Sequence, residues 1–191
     1  PQSFSGRWAR CRSLPMAERR LDSHTMKLLE FEHIIQINDP DQPQIPPLSR
    51  QQLWECLLFR ARHPGHFNPA LACRLEDVST AGFVRYLQFG NMELRDEVFL
   101  LPGHEIRTTT AGSDQPLFAE SIARIEEPGP ERLFVRFVYR RDSGNGQGNE
   151  HDGIDVDEYL KAAYVQNDRD AVRLMREIVR DGLLSSGSWL Q

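Results

Sequence analysis

The sequence predicts an α+β domain: a curved antiparallel sheet of about seven strands wrapped around one long C-terminal helix. Three observations carry this. Between Lys27 and Arg140, almost every segment outside one short helix alternates apolar and polar residues with the period of two that marks a half-buried strand. Short turns separate these segments, as they do between antiparallel neighbours. The stretch from Ile154 to Leu184 instead repeats its apolar residues at helical spacing. A sheet that grips one helix leaves room for a ligand between the two, so the layout is that of a container.

The bulk properties fit this reading. A chain of 191 residues with 39% hydrophobic and 27% charged residues is long enough to bury one real core. No apolar run approaches the roughly 20 residues a membrane helix needs, and no signal-peptide pattern is present, so no membrane partner is expected and a cytoplasmic location is the default. Cys11, Cys56 and Cys73 are widely separated without a CxxC, which points to reduced thiols rather than disulfides or a metal. The net charge of -5 is uneven. Residues 1–25 hold five arginines against Glu18 and Asp22, leaving an acidic body with 18 basic and 26 acidic residues. An acidic body is a poor partner for nucleic acid. Met26 directly precedes the first strand pattern, so residues 1–25 read as a disordered basic extension, 26–184 as one domain and 185–191 as a tail.

The elements follow in order. Lys27 to Asn38 places Leu29, Phe31, His33, Ile35 and Ile37 on one face. His33 in that row reads either as a core histidine or as one that binds a ligand or moves a proton. The prolines at 40, 43, 46 and 47 then impose a loop. Ser49 with Gln52 forms a capping box, opening a helix whose apolar spacing runs to Ala61. That helix stops before Pro64-Gly65, and HPGHFNP reads as a turn covering one end of the sheet rather than a metal site.

From Ala70 the strands come quickly. Leu71, Cys73 and Leu75 mark one, and Phe83–Gly90 and Met92–Leu101 form a hairpin through Gly90-Asn91. That turn sets the register: Phe89 opposite Met92, Leu87 opposite Leu94, Arg85 opposite Asp96 and Phe83 opposite Val98. Arg85 and Asp96 thus face each other in an otherwise apolar row. Either they neutralise one another or Arg85 meets an anionic group of a ligand. A three-residue loop at Pro102-Gly103-His104 puts Thr108 opposite Val98 and Thr110 opposite Asp96. Leu117, Ala119, Ser121, Ala123 and Ile125 form the next inner row, and Leu133, Val135, Phe137 and Tyr139 the last. In this register Ala119, Ser121 and Ala123 oppose Tyr139, Phe137 and Val135, leaving space beneath the helix.

Arg141 to Gly153 is a glycine-rich connector without a phosphate-loop pattern, read as flexible and able to cover the cavity. Asp155 with Glu158 caps the terminal helix, Gly182 ends it, and its apolar stripe includes Leu160, Ala163, Tyr164, Ala171, Leu174 and Met175. Asn167-Asp168 interrupts that stripe, which predicts a kink and a mouth to the chamber.

The order strand, helical segment, six strands and long helix resembles the helix-grip fold of the SRPBCC superfamily, which groups START, birch-pollen-allergen and polyketide-cyclase proteins. SRQQLWECLLFRARHPGHFNP, VRYLQFGNMELRDEV and LFVRFVYR resemble its AtaL-like branch, over about Met26 to Leu184. The resemblance implies a hydrophobic cavity between sheet and terminal helix that takes lipids, polyketides or other apolar molecules. It transfers no catalytic set onto numbered positions. Three features depart from it: the N-terminal extension, HPGHFNP and the long glycine-rich loop.

The leading expectation is binding of an apolar small molecule, with no cofactor and no metal. The ligand would meet Phe31, Leu87, Phe89, Val98, Phe137 and Tyr139. His33, Arg85, Asp96, Thr108 and Ser121 supply polar contacts, and Leu160, Tyr164 and Met175 come from the helix. The alternative is a cyclase, aromatase or dehydratase on a polyketide-like carbonyl compound. There Asp96 or His33 would be the acid/base and Arg85 would hold an enolate. A third reading is a structural or interaction domain whose interior is packed solid. A homodimer through a strand edge or the helix is compatible with all three.

Overall fold

The computed structural model describes residues 28–111, 118–142, 150–151 and 154–186. Seven strands form one antiparallel sheet: β1 (Leu28–Asn38), β2 (Leu71–Glu76), β3 (Gly82–Phe89), β4 (Met92–Leu101), β5 (Glu105–Ala111), β6 (Phe118–Gly129) and β7 (Arg132–Asp142). Their spatial order is β1-β7-β6-β5-β4-β3-β2, so the first strand joins the last at one edge and every other neighbour is a hairpin. Glu150–His151 (β8) and Ile154–Asp155 (β9) make a separate short ladder. The concave face holds helix α1 (Arg50–Arg62), the short helix α2 (Pro64–Phe67) and the C-terminal helix α3 (Val156–Arg180). This is the α+β helix-grip arrangement.

Local chemistry sets the elements. In β1 the expected row alternates as predicted, with Leu29 and Ile37 buried and Glu30, Glu32 and Gln36 exposed. A bulge between Gln36 and Asn38 ends its ladder. Asn38 then pins the proline loop, its amide donating to the Leu48 carbonyl (2.7 Å) and its Oδ1 accepting from the Leu48 N–H (2.9 Å). Ser49 caps α1 with both halves of the capping box formed. The β3–β4 and β4–β5 registers agree pair by pair with the sequence, including Arg85–Asp96, Thr108–Val98 and Thr110–Asp96.

The structure corrects the sequence reading at three places. HPGHFNP is not a plain turn: after the break at His63 the chain rewinds for one helical turn, with Pro64 at its first position, where proline's missing N–H costs nothing. Gly65 is required there, because a Cβ would stand 2.6 Å from the Leu71 carbonyl oxygen. Along β6–β7 the inner row is right in parity but shifted by two residues, with Ser121 opposite Tyr139 and Ala123 opposite Phe137. The ladder slips between Glu126 and Gly129, and the hairpin closes at Gly129–Arg132, where Glu131 takes a positive φ of 60°. Helix α3 is unbroken across Asn167-Asp168. Its buried residues are Asp168, Ala171, Val172, Met175 and Ile178, all in the C-terminal half, while Ala163 is exposed. Leu117, the side chain of Asp155 and most of the glycine-rich connector lie outside the described residues. Gly182 ends α3 with a positive φ of 70°, as a C-cap glycine does.

The core lies between α1, the C-terminal half of α3 and the concave face. Cys56 belongs to it, and burial pushes its thiol up to about 12. The convex face is polar and laced with ion pairs: Arg140 bridges Glu30 and Glu120, and Arg136 bridges Glu32 and Glu126. Exposed pairs of this kind contribute little individually.

Candidate functional site

A cavity of about 290 Å³ lies on the concave face under α1 and α2. Its wall includes Leu57, Arg60 and Ala61 of α1, Pro64 and Phe67 of α2, and inner-row residues of β3, β5, β6 and β7. Helix α3 contributes only Tyr164 and Asn167. The roof is therefore mainly the α1–α2 segment, and the terminal helix closes one corner. The expected position between sheet and terminal helix shifts toward α1 and α2, because the buried residues of α3 begin only at Asp168.

Two buried ion pairs flank the cavity. The Arg85 guanidinium donates from Nε (2.9 Å) and Nη2 (2.5 Å) to Asp96 Oδ2, and from Nη1 to the Ala61 carbonyl (2.7 Å). Thr110 donates to Asp96 Oδ1 (2.6 Å), so both carboxylate oxygens are occupied. Asp96 is only 2% exposed, whereas the Arg85 side chain reaches the cavity at 12%. This is the register pair expected from the hairpin, with neutralisation by Asp96 now its observed partner.

The second pair is centred on Asp168, which is wholly buried in the face of α3. Its Oδ2 accepts from the Tyr139 hydroxyl (2.5 Å) and lies 2.8 Å from His33 Nε2. Arg60 Nη2 lies 2.8 Å from Oδ1 as an ion pair, but its N–H is not aimed along that line, so Oδ1 has charge compensation without an aligned hydrogen bond. One helical carboxylate thus gathers side chains from β1, β7 and α1. Burial, and after it the neighbouring Asp168 charge, raises the Tyr139 hydroxyl above the usual phenol range. Tyr139 also stacks on Tyr164, with ring centroids 4.1 Å apart and planes within 5°.

The sequence-derived candidates divide into three groups. Arg85, Leu87, Thr108, Ser121, Phe137, Tyr139 and Tyr164 line the cavity. Asp96 and His33 stand behind it, Asp96 under Arg85 and His33 stacked between Phe31 and Phe137 while bonded to Asp168. Phe31, Phe89, Val98, Leu160 and Met175 do not line it: Val98 and Met175 are spent in the core, and Phe89 is exposed at the far end of its hairpin. His33 and Arg85 belong to different clusters and share no hydrogen bond. The site also contains Arg60 and Asp168, which the sequence reading does not place in it. Asp168 does carry a sequence signal, since it falls four residues after Tyr164 and three before Ala171, within the apolar stripe rather than across it.

Residues 35–182 match the family described as acetylaranotin biosynthesis cluster protein L, AtaL. The chain belongs to the AtaL family. With it come the SRPBCC helix-grip fold and its solved neighbours. The di-domain ARO/CYC StfQ from the steffimycin biosynthetic pathway superposes with a TM-score of 0.60 at 13% identity, covering 83% of this chain and 52% of that one. The AtaL-family chain thus spans about half the length of StfQ. The Zhui aromatase/cyclase from Streptomyces sp. R1128 gives 0.56 at 12% identity over 82% and 96% of the two chains. Ara h 8.0201 gives 0.53 at 11% identity over 78% and 98%. Identities this low establish the shared fold alone. No curated protein sequence matches the chain. Among the described residues of this AtaL-family chain, no helix is long and apolar enough to cross a membrane.

Proposed function

We propose that this AtaL-family protein binds an apolar small molecule in the cavity under α1 and α2. The observation that carries the reading is the cavity itself: about 290 Å³, walled by aromatic and aliphatic side chains, with two guanidinium groups brought to it from different elements. Few polar groups converging on a mostly apolar concavity is the usual make-up of a ligand site. The solid-core alternative has no support from such an interior.

Binding is favoured over catalysis by the candidate acid/base set. Asp96 has both oxygens occupied by Arg85 and Thr110, and His33 is bonded to Asp168 behind the cavity wall. A general base must reach the proton it removes, and neither group lines the cavity. Arg85 remains a ligand contact in this proposal. Native mass spectrometry of the protein purified from cells tests it. The expected result is a bound small molecule that is released on denaturation and whose binding is weakened by Leu57→Trp, a substitution that fills the cavity. Ligand-free protein that also takes up no apolar compound from solution would overturn it.

A further inference from the structure

The charged lining of the cavity can only donate: Arg60 and Arg85 offer N–H groups and no carboxylate lines the wall, while Thr108, Ser121, Asn68 and Asn167 can donate or accept. Arg60 makes no aligned hydrogen bond among the described residues, and the hydroxyls of Thr108 and Ser121, partners across β5–β6, are likewise unspent. Tyr139 is the exception, its hydroxyl already given to Asp168.

Yet this donor-rich wall carries no net charge. Each guanidinium is neutralised from behind by its own buried carboxylate, Arg85 by Asp96 and Arg60 by Asp168. A ligand anion entering such a site leaves water without meeting an uncompensated cation, and burial of a charge without a counter-charge is strongly unfavourable. A neutral acceptor oxygen faces no such penalty and can take N–H and O–H bonds the protein leaves unmade.

Volume narrows the ligand further. An apolar cavity of about 150 Å³ accepts one benzene ring, so about 290 Å³ accommodates about two fused rings. Phe137, Tyr139 and Tyr164 put three aromatic rings in the wall, a lining that suits an aromatic ligand. We infer that the cavity takes a neutral, planar compound of about two rings bearing a ketone-type oxygen, and that it discriminates against the carboxylate of the same shape. This rests on the binding reading above and assigns its ligand class.

Isothermal titration of the full chain with three near-isosteric probes tests it: 2-acetonaphthone, 2-ethylnaphthalene and 2-naphthoate. The ketone is expected to bind about tenfold more tightly than the hydrocarbon, which lacks the acceptor, and at least about tenfold more tightly than the carboxylate. Asp96→Asn removes the charge behind Arg85 and should shift the preference toward 2-naphthoate by about tenfold or more. If 2-naphthoate binds wild-type protein as tightly as the ketone, or all three bind equally, the inference is overturned while the cavity reading stands. If none binds, both fall. Should Asp96→Asn fail to fold, the wild-type ranking of the three probes decides the matter alone.

Discussion

Asp96 and Asp168 are both buried carboxylates that neutralise an arginine at the cavity wall, but they are assembled in opposite ways. Asp96 takes its side-chain partners from adjacent strands, 11 and 14 residues away in the chain. Asp168 takes Tyr139 from 29 residues away and His33 from 135, with Arg60 reached across the core from α1. The first pair is fixed as soon as the β3–β4 hairpin forms. The second exists only once α3 has docked, so it also reports, and helps to hold, the closure of the domain.

That contrast predicts a graded set of losses. Asp168→Ala leaves Arg60, His33 and Tyr139 facing a void and should lower stability by about 3–5 kcal/mol, read from urea unfolding. A loss below about 1 kcal/mol would show that Asp168 is not a tertiary anchor. Asp96→Ala should cost less, about 2–3 kcal/mol, because Arg85 keeps the Ala61 carbonyl and reaches the cavity, where water can solvate it. Reversal of this order would break the distinction between local and docking pairs.

Tyr139→Phe deletes one bond to Asp168 and should cost about 1.5 kcal/mol near neutral pH. It also changes the alkaline limb. Because the folded state raises the Tyr139 hydroxyl above its ordinary value of 10, its contribution is fully present below that pH and is lost as pH rises above it. Wild-type stability should therefore fall more steeply than that of the variant between about pH 10 and 12, with Tyr139 alone adding up to about 1.4 kcal/mol per pH unit. Equal slopes in denaturant titrations would contradict the buried, Asp168-linked hydroxyl. The smallest effect is expected from Thr110→Val, about 1 kcal/mol, since Arg85 still satisfies the other Asp96 oxygen.

The same division explains what could be read from the chain alone. A two-residue turn at Gly90-Asn91 propagates a period of two without ambiguity, so Arg85–Asp96 and Thr110–Asp96 follow by counting. For Ser121 and Tyr139 counting gives the right face but a register one pair out of step, because a ladder slip between Glu126 and Gly129 cannot be counted. Asp168 was legible as a position on the apolar stripe of α3, yet its charge read as an interruption. Only the docking of α3 on β1 and β7 supplies the cation and donors that let a carboxylate occupy a buried helical face. Arg60 carried no local signal at all, since helical spacing cannot show that its end lies against Phe137 and Asp168. The cavity's roof is not legible for the same reason: α1 and α2 are local in sequence, but their position over the sheet is set by core packing.

Arg60 and Arg85, one from each cluster, bound the same cavity. Side-chain Nε–H spectra of selectively labelled arginine during titration with 2-acetonaphthone report on both at once. The Arg60 and Arg85 signals are expected to shift together and saturably, while those of Arg136 and Arg140 on the convex face stay fixed. Saturable binding that moves neither cavity arginine, or moves those of the convex face instead, would contradict that expectation.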